Sequence, residues 1–500
     1  MSPKDTTGPR ASHARGPLSS TGKITRRAVI AGAAAAVPFI AWSAWAARPD
    51  GTGTTALAGS NGSAAPAGLR GPGGSPSASP SGSPSASPSA SPSGSPSPST
   101  SPSASAAASA SASASPSGTP SATPSPTPKP LDPTRPGLLH SAADLERVAG
   151  KVAAGAQPWT SGWDRLVANG RSAADWQPRP LQDVIRGVPG DNVGQMYADI
   201  HAAYQNALRW RISGEKAHGD AAVRILNAWS GTMRSLGGNA DRFLAAGIHG
   251  YQWANAAELV RDHPDFDLPR FKKMLLGIFY PMNDDFLRNH NGAVITNYWA
   301  NWDLCNMCSV LAIGAFTDRK DLVNQAIGYF KSGKGNGSIK HAVPFVYERE
   351  GLAQWQEAGR DQGHTVMGIG MMATFCEMAW HQGVDCYGYD NNRFLKAAEY
   401  VAKYNLGYDV PFTDYTWQSG PLSIASHVGW ATHTVVSDYS RGHVRPVWDM
   451  VLGHYAGRRG LSAPWTRRMA QRIRPDGGGG DYGNGGGYDQ LGFTTLLDAR

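Results

Sequence analysis

An abrupt change of composition near residue 132 limits which part of this chain can fold. Residues 72–130 consist almost wholly of Ser, Pro and Ala, as in Gly82-Ser83-Pro84-Ser85-Ala86-Ser87-Pro88. Such a segment cannot bury enough apolar surface to offset the entropy of ordering it. Its prolines extend it and its serines keep it solvated. Beyond residue 132 the aromatic residues return, and fourteen of the sixteen tryptophans lie there. The folding unit is therefore expected to be residues 133–500, long enough to bury a substantial core as one closed architecture or as two lobes.

The segment before the tether reads as an export leader, residues 1–46, with a disordered linker over residues 47–132. Arg26-Arg27 precede the Ala-rich apolar run that ends near Ala41, and Ala44-Trp45-Ala46 offers a small-x-small cleavage site. The paired arginines have the form of a twin-arginine signal, which predicts a secreted, extracellular protein exported after folding. The apolar run is short and interrupted by Pro38, so no stable membrane span is expected.

The net charge of +8 belongs mostly to this leader and tether. Nine of the 46 basic residues and three of the 38 acidic residues precede residue 133, which leaves 37 against 35 in the folding unit. That balance lacks the basic excess of a nucleic-acid binder. Cys305 and Cys308 share one helical face and read as small core residues. Without a second Cys-x-x-Cys pair, no metal site and no cofactor is expected. Export permits a Cys376–Cys386 disulfide without requiring one.

Helical periodicity recurs through the folding unit. Ser141 caps a helix carrying Leu145, Val148 and Val152 on one face, and Met196, Ile200, Tyr204 and Leu208 recur at steps of four. The pattern continues over 243–260, 271–287, 297–316, 365–380, 394–404 and 444–455. Strand-like alternation is rare before the Gly-rich C-terminal stretch. About a dozen helices without a fixed sequence repeat predict an all-α fold of paired helices, an (α/α) toroid or incomplete barrel.

Two stretches concentrate polar chemistry. Thr296-Asn297-Tyr298-Trp299-Ala300-Asn301-Trp302-Asp303 places Asn297 and Asn301 four apart at the expected start of an apolar helix. Trp355-Gln356-Glu357-Ala358-Gly359-Arg360-Asp361-Gln362-Gly363-His364 precedes another, and His364 is its natural titrating group. Trp302, Trp355, Gln362 and Trp417 sit in or beside such polar runs as candidate substrate contacts, the indoles as stacking surfaces for sugar rings. Tyr482 adds a further candidate from the Gly-rich run 476–489.

Together, Asn297-Tyr298-Trp299-Ala300-Asn301-Trp302, Glu357-Ala358-Gly359-Arg360-Asp361-Gln362-Gly363-His364 and Glu377-Met378-Ala379-Trp380-His381-Gln382-Gly383 resemble the alginate lyase-like polysaccharide lyases. The nearest resemblance is to polysaccharide lyase family 38, over most of residues 136–500. It implies an (α/α) toroid and cleavage of 1,4-linked uronic-acid polymers such as polymannuronate or glucuronan, so the implied partner is an anionic polysaccharide. Alginate lyases of a related family carry Asn-Asn-His-x-Tyr-Trp at the first motif. Thr296 stands where that histidine falls, and His364 is the candidate to take its role.

β-Elimination needs a neutralised substrate carboxylate, a base for the C5 proton and an acid for the leaving oxygen. Asn297, Asn301 and Arg360 suit the first task. His364 or Tyr298 suits the second, and Tyr298 the third, with Arg360 expected to lower its pKa. Two other readings fit a helical barrel. An inverting glycoside hydrolase would use a carboxylate pair among Glu348, Glu350, Glu357 and Asp361. A non-catalytic polysaccharide-binding protein would need no pair at all.

Overall fold

The computed structural model describes residues 137–483 and 488–500. The expected leader and linker, and the first four residues of the expected folding unit, lie outside the described residues.

Helices dominate, as the periodicity predicts. In chain order they are α1 (Ala142–Ala153), α2 (Trp159–Val167), α3 (Val193–Ser213), α4 (Lys216–Thr232), α5 (Arg242–Leu259), α6 (Leu268–Met274), α7 (Tyr280–Asn289), α8 (Ala300–Thr317), α9 (Lys320–Ser332), α10 (Ile339–Ala342), α11 (Gln362–His381), α12 (Tyr389–Asn405), α13 (Trp448–Leu452), α14 (Pro464–Ile473) and α15 (Thr494–Leu497). Ser141 caps α1 in a reciprocal capping box with Asp144.

The inner helices are those buried all round. Every residue of α5 from Phe243 to Leu259 is buried, and α8 and α11 are nearly as enclosed. Neighbours α3, α5, α8 and α11 pack in that order, and α4, α9 and α12 back α3, α8 and α11 from outside. The ring closes through α13, α15 and α1, which returns to α3. The architecture is an all-α toroid. Small residues set its tightest contact: a Cβ on Gly247 would stand 2.4 Å from Cys305 Sγ, and one on Gly250 2.1 Å from Ser309 Oγ. Cys305 and Cys308 are thus packing residues, and all four cysteines are free and buried.

Three differences from the sequence reading matter for the site. Helix α8 starts at Ala300 rather than at residue 297, because Thr296 and Asn297 spend their side chains on backbone groups elsewhere. The expected helix over 444–455 begins only at Trp448. Strands do occur before the Gly-rich stretch, in three two-stranded sheets: β1 (Asp183–Arg186) parallel to β2 (Ser235–Gly238), β3 (Phe345–Tyr347) antiparallel to β4 (Leu352–Gln354), and β5 (Tyr415–Ser419) antiparallel to β6 (Gly429–His433). Each is too short to leave a strong period-two signal. No described helix is long and apolar enough to cross a membrane.

Candidate active site

The site is assembled where the loop before α8, the turn before α11 and the β5–β6 hairpin meet. Helix α7 ends in two left-handed residues, His290 (φ 45°) and Asn291 (φ 50°). His290 is pinned from below: its Nε2 lies 2.9 Å from Asp303 Oδ1, which also accepts from the Tyr329 hydroxyl at 2.7 Å. The turn thereby delivers Asn291, whose Nδ2 donates to the Tyr298 hydroxyl at 2.9 Å. The Tyr298 ring sits 4.6 Å from Trp302 and meets Phe286 edge-on at 5.2 Å. Burial raises the Tyr298 pKa above the usual phenol value, against smaller opposing effects of Asn291 and Arg242. At neutral pH this phenol keeps its proton. The cation that acts on it is Arg242, not Arg360 as the sequence suggested.

The second motif folds into a compact electrostatic unit. Asp361 caps α11, accepting from the His364 backbone N–H at 2.7 Å with one oxygen and from His364 Nδ1 at 2.7 Å with the other. That bond fixes the tautomer with the proton on Nδ1 and leaves the Nε2 lone pair facing the Arg360 guanidinium, 3.3 Å away. Burial and Arg360 hold the His364 pKa below its ordinary value, with Asp361 opposing them. Burial would raise Asp361, but the His364 hydrogen bond and charge outweigh it and bring it to about 2. Arg360 also donates to Glu357 Oε1 at 2.8 Å. Glu357 is fully buried, and that burial pushes its carboxyl up to about 7 despite Arg360.

Aromatic rings join the two units. The Arg360 guanidinium lies 5.1 Å over the Trp299 ring, and Trp299 is next in sequence to Tyr298. From the hairpin, Trp417 packs 4.8 Å from Trp299, and His433 stacks on Trp299 and meets Trp417 at a tilt, 4.6 Å away. Gly359 admits this approach, since a Cβ there would stand 2.5 Å from the His433 Cβ. The N-terminus of α8 is already occupied: Gln356 Oε1 accepts from Ala300 N at 3.1 Å while its amide donates to the Tyr415 hydroxyl at 2.9 Å.

The ten residues singled out in sequence therefore separate. Arg360 and His364 touch, Tyr298 and Trp302 touch, and Trp417 closes on Trp299 between them. None of Tyr298's hydrogen bonds or ring contacts among the described residues is with Arg360 or His364. Asn297 does not share a face with Asn301; its Oδ1 accepts from Gly420 N at 2.7 Å and ties down the hairpin. Asn301 is buried in the first turn of α8, and its Oδ1 lacks a partner there. Trp355 is wholly buried against Gly368, so it is a core residue and offers no face to a sugar. Gln362 is buried and fully engaged, with Ser437, Ala358 and Asn405. Tyr482 accepts from Gly477 N at 2.9 Å beside the Arg165–Asp481 ion pair, in a different part of the fold.

Sequence reasoning missed Asn291, Arg242 and the roles of Trp299 and Glu357. Trp299 lay inside a quoted motif unmarked, and Glu357 was singled out only as a carboxylate of the hydrolase reading. The carboxylates named for the hydrolase reading have the following partners. Glu348 is ion-paired with Lys396 at the surface, Glu350 is exposed, and Glu357 and Asp361 are engaged by Arg360 and His364. The described residues that could share a metal, Asp220, His263 and Asp265, lie elsewhere, and Asp220 already holds Lys216.

Residues 185–410 match the family model described as alginate lyase. Among solved structures, the chain resembles alginate lyase A1-III from Sphingomonas species A1 at 14% identity, covering 71% of this chain and 95% of that one with a TM-score of 0.47. It also resembles a variant of alginate lyase A1-III complexed with tetrasaccharide at 14% identity, covering 73% and 97% with a TM-score of 0.50. No curated protein sequence matches. The family region spans both motifs and the inner helices that carry them, and over those residues the chain is similar to the alginate lyases.

Proposed function

We propose that this protein cleaves 1,4-linked uronic-acid polymers, alginate with its polymannuronate blocks or glucuronan, by β-elimination. The observation that carries the reading is the Asp361–His364–Arg360 unit: a neutral imidazole of fixed tautomer beside a guanidinium, one residue of chain away in Trp299 from a protonated phenol.

In this mechanism Arg360 turns from His364 to the substrate carboxylate and neutralises it, which acidifies C5–H. Nε2 of His364, released from Arg360, takes the C5 proton. The electron pair left on C5 forms the C4–C5 double bond, the C4–O bond breaks, and the departing oxygen takes the proton of Tyr298. Asn291, hydrogen-bonded to that hydroxyl, orients it and stabilises the phenolate. The products are an unsaturated uronic-acid end and a new sugar hydroxyl. The Arg26-Arg27 pattern before an apolar run and the Ser/Pro/Ala tether support export of this activity from the cell.

Tyr298→Phe and His364→Ala should each lower turnover by about 10²–10⁴-fold, followed as ultraviolet absorbance of the unsaturated product on a panel of uronans. Helical circular dichroism should be unchanged. Wild-type-like rates in both variants would remove these residues from the mechanism. Export is tested by recovering the activity from the culture medium and losing it there when Arg26 and Arg27 are both replaced by Lys.

A further inference from the structure

The elimination leaves one acid beside Arg360 without a task. Glu357 is wholly buried, and only one of its carboxyl oxygens is satisfied. Oε1 accepts from Arg360 Nη1 at 2.8 Å, while Oε2 has no hydrogen-bond partner among the described residues. An ionised carboxylate held by a single partner is costly in such a place, and a neutral carboxyl much less so.

Arg360 itself is engaged at every nitrogen. Nη1 holds Glu357, Nη2 stands 3.3 Å from His364 Nε2, and Nε stands 3.5 Å from Asp361 Oδ2. Its side chain keeps 19% of its surface, so a ligand reaches the guanidinium, whereas nothing outside reaches Glu357. Two carboxylates therefore share this one cation already, and a substrate carboxylate is the third.

The surrounding elements supply no further positive charge to offset it. Arg445, which also acts on His364 from the segment before α13, is ion-paired with Asp489 at 2.8 Å. His443, from the same segment, is pushed down to about 4 by burial and Arg445, and is neutral at pH 7. From β5, Tyr415 is a phenol whose pKa is raised by burial and, less, by Glu357 itself. From β6, His433 packs against Gly359 and Trp299. With a uronate on Arg360, one of the two protein carboxylates has to become neutral. Asp361 is held ionised by the His364 backbone N–H and Nδ1, at 2.7 Å each. Glu357 has one bond, and it runs to the guanidinium that the substrate claims.

We infer that Glu357 is a positioning residue that takes up a proton from solvent when the substrate carboxylate docks on Arg360, and thereby frees the guanidinium to hold that carboxylate. The inference rests on the uronan reading above. In the free protein burial has already brought the Glu357 carboxyl to about 7, against Arg360 and more weakly the Trp355 indole, with Asp361 adding to the rise. A further anion beside it moves it higher. Below pH 7 the proton is in place beforehand. Above pH 7 binding draws it in, so affinity falls as pH rises.

The test is titration calorimetry of Tyr298→Phe, which binds without cleaving, with a mannuronate tetramer and with a glucuronate tetramer. Buffers of different ionisation enthalpy read the protons taken up. Uptake should be close to zero at pH 6 and approach one per bound tetramer at pH 8. It should vanish when Glu357→Gln is added, since the amide keeps the shape and the acceptor for Arg360 but does not titrate. In the active protein the same replacement should lower KM at pH 8 by about five- to tenfold and remove the fall of kcat/KM above about pH 7. A purely structural role for Glu357 cannot lower KM. Uptake that does not rise between pH 6 and pH 8 in Tyr298→Phe overturns the inference even if the glutamine variant fails to fold, and so does a rise that survives the replacement. Binding of neither tetramer would remove the uronan reading, and this inference with it.

Discussion

His364 serves as a base only if it is neutral and presents the correct nitrogen, and Asp361 governs the second condition. Burial and Arg360 keep the imidazole neutral by holding its pKa below the ordinary 6.5, while Asp361 pulls the other way and takes the Nδ1 proton. A base must be unprotonated, so a lowered pKa extends activity to more acidic pH. The acid limb of kcat/KM should therefore lie below 6.5. Asp361→Asn removes the one neighbour that raises this pKa and lets the wrong tautomer form. Its acid limb should move further down while kcat falls by about 10²-fold or more, measured as full pH profiles of both enzymes. A role for Asp361 confined to capping α11 would lower stability and leave the limb in place. These two residues were legible because they share one ten-residue run with a helix start. Trp355 and Gln362 share that run too, and composition cannot say that the chain turns both into the interior. Asn291 was invisible for a different reason: it reaches Tyr298 only because the end of α7 is left-handed, a backbone property with no sequence signature beyond its Asn-His-Asn run.

The β5–β6 hairpin is the element that the sequence concealed, although Trp417 hinted at it. Its strands alternate too briefly to stand out from the helical pattern, and its position depends on partners more than a hundred residues away. Thr296 clamps it by donating to Gln418 O at 2.7 Å and accepting from Gln418 N at 3.1 Å. The same clamp explains why α8 starts three residues late. Thr296→Val keeps the shape and β-branching but leaves both Gln418 backbone groups unpaired. A loss of about 1–3 kcal/mol is expected. Because the hairpin carries Trp417 and His433 onto Trp299, the loss should be local. Limited proteolysis between residues 420 and 428 should accelerate and KM should rise, with the helical signal unchanged. Unaltered cleavage kinetics in that loop would mean the ring stack alone holds the hairpin.

At the scale of the whole molecule, the helical toroid was legible from period and count, whereas its closure was not, because it joins the two ends of the folding unit through ion pairs as well as apolar contacts. The seam joins α1, α11 and the chain's last residues. Asp144 accepts from His381 Nε2 at 3.1 Å and from Arg500 at 2.5 Å, and Arg147 holds the carbonyls of Leu497 and Ala499. Beside them, Glu377 is fully buried and clasped by Arg458 at 2.5 and 2.7 Å. Burial would raise the Asp144 and Glu377 pKa values, but His381, Ser141 and Arg458 outweigh it and both are lowered. Their contribution is complete above the ordinary carboxylate values of 3.8 and 4.5 and is lost as pH falls. For His381 the sign is opposite. Burial lowers its pKa, Asp144 and Glu377 more than restore it, and the net rise makes its contribution complete below 6.5 and lost at higher pH. Asp144, Glu377 and His381 together contribute most between about pH 4.5 and 6.5. Arg458→Met removes the cation that holds Glu377 ionised and leaves a buried carboxylate with the Tyr387 hydroxyl at 3.1 Å and His381 3.9 Å away. A cost of about 3–5 kcal/mol is expected at pH 7, from urea midpoints. With burial now dominant, the Glu377 pKa should rise above 4.5, so the variant should regain stability as pH is lowered from 7 toward 5, and Glu377→Gln added to it should recover much of the loss at pH 7. A variant whose deficit is the same at both pH values would show that Arg458 closes the ring by packing on Trp380, 5.9 Å away, rather than by charge.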